Sequence, residues 1–136
     1  MTTRRLVSAI GLAFFLGAGS LSAHHAFSSE FDANHPVLLR GTVMKTEWVN
    51  PHSWIHIDVQ GSDGKVATWA IECGAPNSLL RRGLSKMSIP PGTQVVVDGY
   101  QAKDGSTTAN AREITLPDGQ KFFIGSAGTG APYEKK

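Results

Sequence analysis

The sequence predicts an all-β domain interrupted by one short helix. Three observations carry this. Segments of alternating apolar and polar residues recur along the middle of the chain, bounded by turn signals such as "NP", "GSDGK", "PPG" and "PDG". One stretch alone, "APNSLLRRGL", replaces the alternation with helix-start and helix-stop residues. The first alternating segment is long and carries a glycine, Gly41, near its centre.

Taken in order, residues 37–49 ("VLLRGTVMKTEWV") read as the first strand. Val37, Leu39, Gly41 and Val43 share one side, with Arg40 and Thr42 on the other. Gly41 predicts a bulge or sharp bend there. Asn50 and Pro51 turn the chain into "SWIHIDV", where Ile55, Ile57 and Val59 face one way and Trp54, His56 and Asp58 the other. Residues 61–65 form a hairpin turn into a third strand over 66–72. Asn77 or Ser78 would cap the short helix, Gly83 would end it, and Leu79, Leu80 and Leu84 would face inward. A fourth strand is predicted over 94–102, a fifth over 110–116 and a short sixth over 121–124.

Three strands, a helix, then two or three strands is the β-β-β-α-β-β order of a small OB-like β-barrel. In that fold a bent first strand serves both halves of a partly open Greek-key barrel. A plain β-sandwich or another small barrel is the competing arrangement. This domain spans residues 36–124. Before it, "RR" precedes the apolar run "LVSAIGLAFFLGA" and the small-residue stretch "GSLSA", which is the pattern of a signal peptide over residues 1–23. The run is short of the roughly 20 residues a membrane span needs, so no span is expected after cleavage. Arg4 and Arg5 leave room for twin-arginine export, although the residues after the pair fit the general secretory route better. Residues 24–35 read as an extended or flexible N-terminal arm, and 125–136 as a loose tail.

The totals narrow the partners. The chain has 13 basic and 11 acidic residues. Loss of Arg4 and Arg5 with the leader brings the two counts level. A neutral chain without a basic run is not expected to bind nucleic acid. Cys73 is the only cysteine, so no internal disulfide forms. It reads as a buried, inert thiol, with an intermolecular bridge or soft metal ligand as the other role.

The chemistry lies in the histidines. All five come after the leader: His24, His25, His35, His52 and His56. Cleavage after Ala23 makes His24 the first residue; cleavage after Ser22 competes. As the first residue, His24 presents an amine and an imidazole that can chelate one ion. His25 and, across the fold, His52 would complete a nitrogen-rich set suited to copper, with zinc the other candidate. A solvated arm without fixed partners is the plainer alternative. The pair in "HSWIH" is a weak chelator: four residues of strand span roughly 13 Å, and the zinc-protease helix would need Glu where Ser53 stands.

A second reading is free of metal. Asn50, Trp54, His56 and Glu72 would form a ligand face on which Trp54 stacks a small molecule or glycan, or meets a periplasmic protein. Against it, Trp48, Trp54 and Trp69 also suit core or rim packing. Arg81 and Arg82 read as a solvated helix face. No nucleophile elbow, phosphate-cradling glycine loop or zinc-protease helix occurs, and the chain is not expected to be an enzyme. A redox enzyme using an N-terminal copper is the remote alternative.

Taken together, "HHAFSSEFD", "PVLLRGTV", "EWVNPHSWI", "DGK", "WAIE", "PNSLLRRG" and "LPDG" resemble a group of small exported bacterial proteins that form a domain of unknown function. The likeness runs over residues 24–124. It implies export, a compact β-rich domain and a recurring pairing of "HH" with "NPH". It singles out His24, His25, Asn50, Pro51, His52 and Glu72 without naming an activity. Cys73 departs from it, standing where that group more often has glycine. "VLLRGTV" and "VVVDGY" resemble periplasmic OB-fold stress proteins more loosely, a likeness that bears on fold alone.

Overall fold

A computed structural model describes residues 26–134 of the chain. The expected leader and the histidines His24 and His25 lie outside the described residues.

The elements run α1 (Ala26–Glu30), β1 (Phe31–Glu47), β2 (Trp54–Gln60), β3 (Val66–Glu72), α2 (Pro76–Arg81), a 3-10 turn (Lys86–Ser88), β4 (Gln94–Ala102), β5 (Thr108–Thr115) and β6 (Lys121–Phe123). The strands form one sheet in the order β3-β2-β1-β4-β5-β6, all neighbours antiparallel. A parallel pairing of Ala70–Glu72 with Thr108–Asn110 joins β3 to β5. That contact links β3, at one end of the row, to β5, next to the other end, so β1, β2, β3, β5 and β4 succeed one another around a ring and β6 lies outside it. The all-β class with one short helix over residues 76–81 is as expected.

β1 makes the ring possible. Residues 31–42 pair with β4, and residues 41–47 with β2. Gly41 sits at the handover, opposite both Val59 and Val95. A Cβ there would stand 2.6 Å from the Asp58 carbonyl oxygen, so the glycine permits a close approach of two backbones. The irregularity itself lies between Val43 and Lys45, at Met44 rather than at the glycine.

Gly99 is tighter still. It lies at the irregular step of β4 against β5, and a Cβ would overlap the Asn110 carbonyl. Gly99→Ala is expected to destabilise the protein by about 1–3 kcal/mol through forced backbone movement. Urea denaturation checks it, and an unchanged midpoint would mean that this crossing has slack.

Inward side chains alternate along every long strand and close one core: Val43, Ile55, Ile57, Ile71, Val97 and Ile114 are fully buried. Leu79, Leu84 and Ile89, from α2 and the loop after it, join the same core. Leu80, expected inward with them, is 54% exposed. Adjacent residues on a helix point about 100° apart, and α2 buries the side that carries Leu79. Its start also differs from expectation. Ala75 takes the cap position with no side-chain hydrogen bond, and Pro76 supplies the first helical residue. Gly83, at φ +92°, ends it as expected.

The two termini depart most from expectation. In its described part the arm is not loose: residues 26–30 form α1, and residues 31–35 open β1. Residues 125–134 are not loose either, with Ser126, Thr129 and Ala131 buried. Phe27, Phe31 and Ala131 build a second, smaller core against Tyr100, Ala102 and Tyr133. Phe27 meets Tyr100 edge-on at 5.5 Å between ring centres, and Tyr133 lies edge-on to Phe123 at 5.3 Å. Backbone bonds from Phe27 N to Thr129 O (3.2 Å) and from Lys103 N to Glu30 O (2.9 Å) tie α1 to the tail and to the end of β4. Together the two termini form a strap over the outer face of the ring.

Candidate functional site

Glu72 ends β3 with its side chain on the outer face of the ring. Its ladder neighbours are Trp54 on β2 and Asn110 on β5. An outward glutamate on a small ring is ordinarily solvated. This one is only 8% exposed. Asn110 Nδ2 donates to Glu72 Oε1 at 3.1 Å, and the Tyr133 hydroxyl donates to Asn110 Oδ1 at 2.7 Å. The pair of bonds fixes which way the Asn110 amide points. Burial pushes the Glu72 carboxyl above the ordinary carboxylate range, a neighbouring Glu30 carboxylate adds to the rise, and His52 and Asn110 oppose it. Burial likewise lifts the Tyr133 phenol to about 12, so it stays a donor at neutral pH.

The buried carboxyl makes stability depend on pH. Its folded-state pKa lies above the ordinary value of 4.5. The folded chain therefore holds the proton more tightly than the unfolded chain. Stability from this group is fully present below pH 4.5 and is lost as pH rises through the higher folded-state value. Glu72→Gln is expected to flatten that part of the stability–pH curve, read by urea denaturation of the metal-free protein from pH 4 upward. A parallel loss in both proteins would place the effect elsewhere.

His52 comes to the same place from the turn before β2. Backbone bonds Ser53 N to Gly74 O (3.1 Å) and Cys73 N to Ser53 O (2.8 Å) clamp that turn against the end of β3. Its Nδ1 lies 3.0 Å from Ser126 Oγ, 3.2 Å from the Cys73 carbonyl oxygen and 3.9 Å from Glu72 Oε1. The Ser126 hydroxyl lies 3.2 Å from the Cys73 carbonyl, to which it can donate while accepting from Nδ1. The Cys73 carbonyl can only accept, so it favours the tautomer in which Nδ1 carries the ring proton. Nε2 then holds the free lone pair, and it has no hydrogen-bond partner among the described residues. A carbonyl or carboxylate behind one ring nitrogen is the usual support for a histidine that binds metal through the other. Because Ser126 and Glu72 both face Nδ1, they do not flank the ring as the nucleophile and acid of a triad do.

Of the other expected residues Trp54 stands opposite Glu72, while among the described residues no hydrogen bond joins His56 or Asn50 to the group. His56 Nε2 pairs with Glu47 Oε2 at 2.7 Å. The hydrogen bond from His56, with Lys45 alongside, holds the Glu47 carboxyl below its ordinary range. Asn50 is exposed in the turn after β1. Trp54 is half-buried and lines a hollow of about 360 Å³ with Glu30, Lys103 and Thr108 among others. Cys73 is fully buried, and burial drives its thiol well above the ordinary range, consistent with an inert role. Of the expected metal set His24, His25 and His52, only His52 is described. Among the described residues no three His, Cys, Asp or Glu side chains group closely enough to hold an ion.

Sequence reasoning picked out His52 and Glu72 but missed Asn110, Ser126 and Tyr133. Asn110 is a polar residue at the start of an ordinary strand, and the other two lie in a stretch whose glycines read as loose. The one signal that could have found them is the aromatic content of both ends: Phe27, Phe31 and Tyr133.

Among the described residues no helix is long and apolar enough to cross a membrane. No curated protein matches the chain. The model of a family described as "Family of unknown function (DUF6152)" matches residues 13–111. That stretch holds β1 to β4 and the first half of β5, with His52, Glu72 and Asn110, and stops short of Ser126 and Tyr133. It covers well over half of the sequence, and the chain belongs to this family of unknown function.

Proposed function

We propose that the protein is an exported, periplasmic binding protein, without catalytic activity, that holds a transition-metal ion through His52 and the histidines of its N-terminus, His24 and His25. The observation that carries this reading is the setting of the His52 ring: Nδ1 lies against the Cys73 carbonyl and the Ser126 hydroxyl, and Nε2 has no hydrogen-bond partner among the described residues. Chain connectivity supports the rest. Phe27 is bonded to Thr129 in the tail that also carries Ser126, and His25 lies two residues before Phe27. Two residues of chain reach at most roughly 7 Å and three roughly 11 Å, which bounds how far His25 and His24 can stand from Phe27. Imidazole nitrogens with a free N-terminal amine favour Cu(II) over most divalent ions, and Zn(II) is the other candidate.

The test begins with N-terminal sequencing of the exported protein, with His24 expected as residue one. Titration with Cu(II) is then expected to show one tight site that weakens below about pH 6, as imidazoles protonate. An unprocessed or differently cut terminus, or no saturable uptake, overturns the reading.

The metal-free alternative keeps one observation in its favour. The hollow beside Trp54 is of the size that small-molecule sites begin at, about 300 Å³, and offers an indole face with hydroxyl, carboxylate and ammonium groups around it. A glycan or small aromatic bound there would quench Trp54 fluorescence, and a Trp54→Ala protein would not respond.

A further inference from the structure

We infer that Ser126, in the C-terminal tail, is a positioning residue that sets the His52 ring for ligation: its hydroxyl accepts a hydrogen bond from Nδ1–H and so leaves the lone pair on Nε2. The inference rests on the metal reading for what that lone pair takes up, but the state of the ring can be tested without metal.

A neutral imidazole in water prefers its proton on the nitrogen farther from the backbone, which for histidine is Nε2. A ring in that form has no lone pair to offer at Nε2. The chain reverses the preference with two acceptors on the near side. The Cys73 carbonyl at 3.2 Å is one. Ser126 Oγ at 3.0 Å is the closer, and it is free to accept when its own proton goes to the Cys73 carbonyl, 3.2 Å away.

Ser126 is also held in place. It is 4% exposed, and its chain neighbours are anchored on both sides. Arg82 Nη1 donates to the Gly125 carbonyl at 2.8 Å, and Gly74 N donates to Ile124 O at 2.8 Å. Farther along, the turn over residues 128–134 is closed by Thr129 N and Oγ1 on the Glu134 carboxylate at 2.9 and 2.8 Å. Glu134 lies one residue beyond Tyr133, whose hydroxyl is fastened to Asn110. A hydroxyl so fixed can dictate a proton position on a ring whose side chain is still 28% exposed. The tail thereby becomes part of the site.

The experiment compares wild type, Ser126→Ala and Ser126→Thr, each with nitrogen-15-labelled histidine and free of metal, at a pH above the imidazole range. In the wild type, His52 is expected to show a protonated Nδ1 and a bare Nε2. In Ser126→Ala the two shifts are expected to move toward each other as the Nε2–H form appears. Cu(II) affinity is then expected to fall about 10- to 100-fold, the usual cost of losing an outer-shell partner. Ser126→Thr, which keeps the hydroxyl, is expected to restore both readouts. A wild-type ring protonated at Nε2 overturns the inference, and needs no variant to do so. Wild-type shifts and affinity in Ser126→Ala overturn it equally. If the wild type takes up no Cu(II), it is the metal reading that falls, and the nitrogen shifts alone decide the role of Ser126.

Discussion

Phe31→Ala is expected to destabilise the protein by about 3–5 kcal/mol, the usual cost of deleting a buried phenylalanine ring. Phe31 is 3% exposed and lies 5.7 Å from Phe27 between ring centres. Its loss removes one of the three buried residues of a core that has only six members. That core is too small to reform around a cavity, because its other wall is the outer face of β4, which cannot move inward without disturbing the ring. Urea denaturation gives the number. Hydrogen exchange gives the location, because the amides of Phe27 and Lys103, bonded across the strap, are expected to lose protection before those of β2. A cost below about 1 kcal/mol, the level of an ordinary surface change, would mean that the strap is not a cooperative part of the fold.

The strap also shows where the sequence stops being legible. β3 and β4 are found over the residues that their β-branched and apolar content and flanking turn signals mark, 66–72 and 94–102. The strap has no such run. Its burial comes from a few aromatic rings brought together from opposite ends of the chain, and each end alone has the composition of a loop. Gly41 gives a finer case. A glycine in a strand signals either a bulge or a close backbone contact, and only the pairing with both β2 and β4 decides for the contact. The site divides in the same way. His52 is visible in the sequence because imidazole after a turn is chemically conspicuous. The direction of its lone pair depends on Ser126, 74 residues away, and no local pattern carries that.

The remaining large effect is on binding. His52→Ala is expected to weaken Cu(II) binding by more than about 100-fold, beyond what loss of an outer-shell partner costs. The substitution removes a nitrogen donor that the chain holds ready, while the backbone bonds of Ser53 to Cys73 and Gly74 that shape the turn remain. The fold is therefore expected to survive, since the ring is partly exposed and outside both cores. His56→Ala is the matched control. Its Nε2 is occupied by Glu47, so its removal costs a surface ion pair and no ligand, and affinity is expected to stay within the error of the titration. The contrast separates a site from non-specific uptake by imidazole: equal losses at both positions would mean that any exposed histidine suffices. No loss at His52, with the wild type binding tightly, would leave the ion on the N-terminal residues alone and detach the ring of strands from the metal altogether.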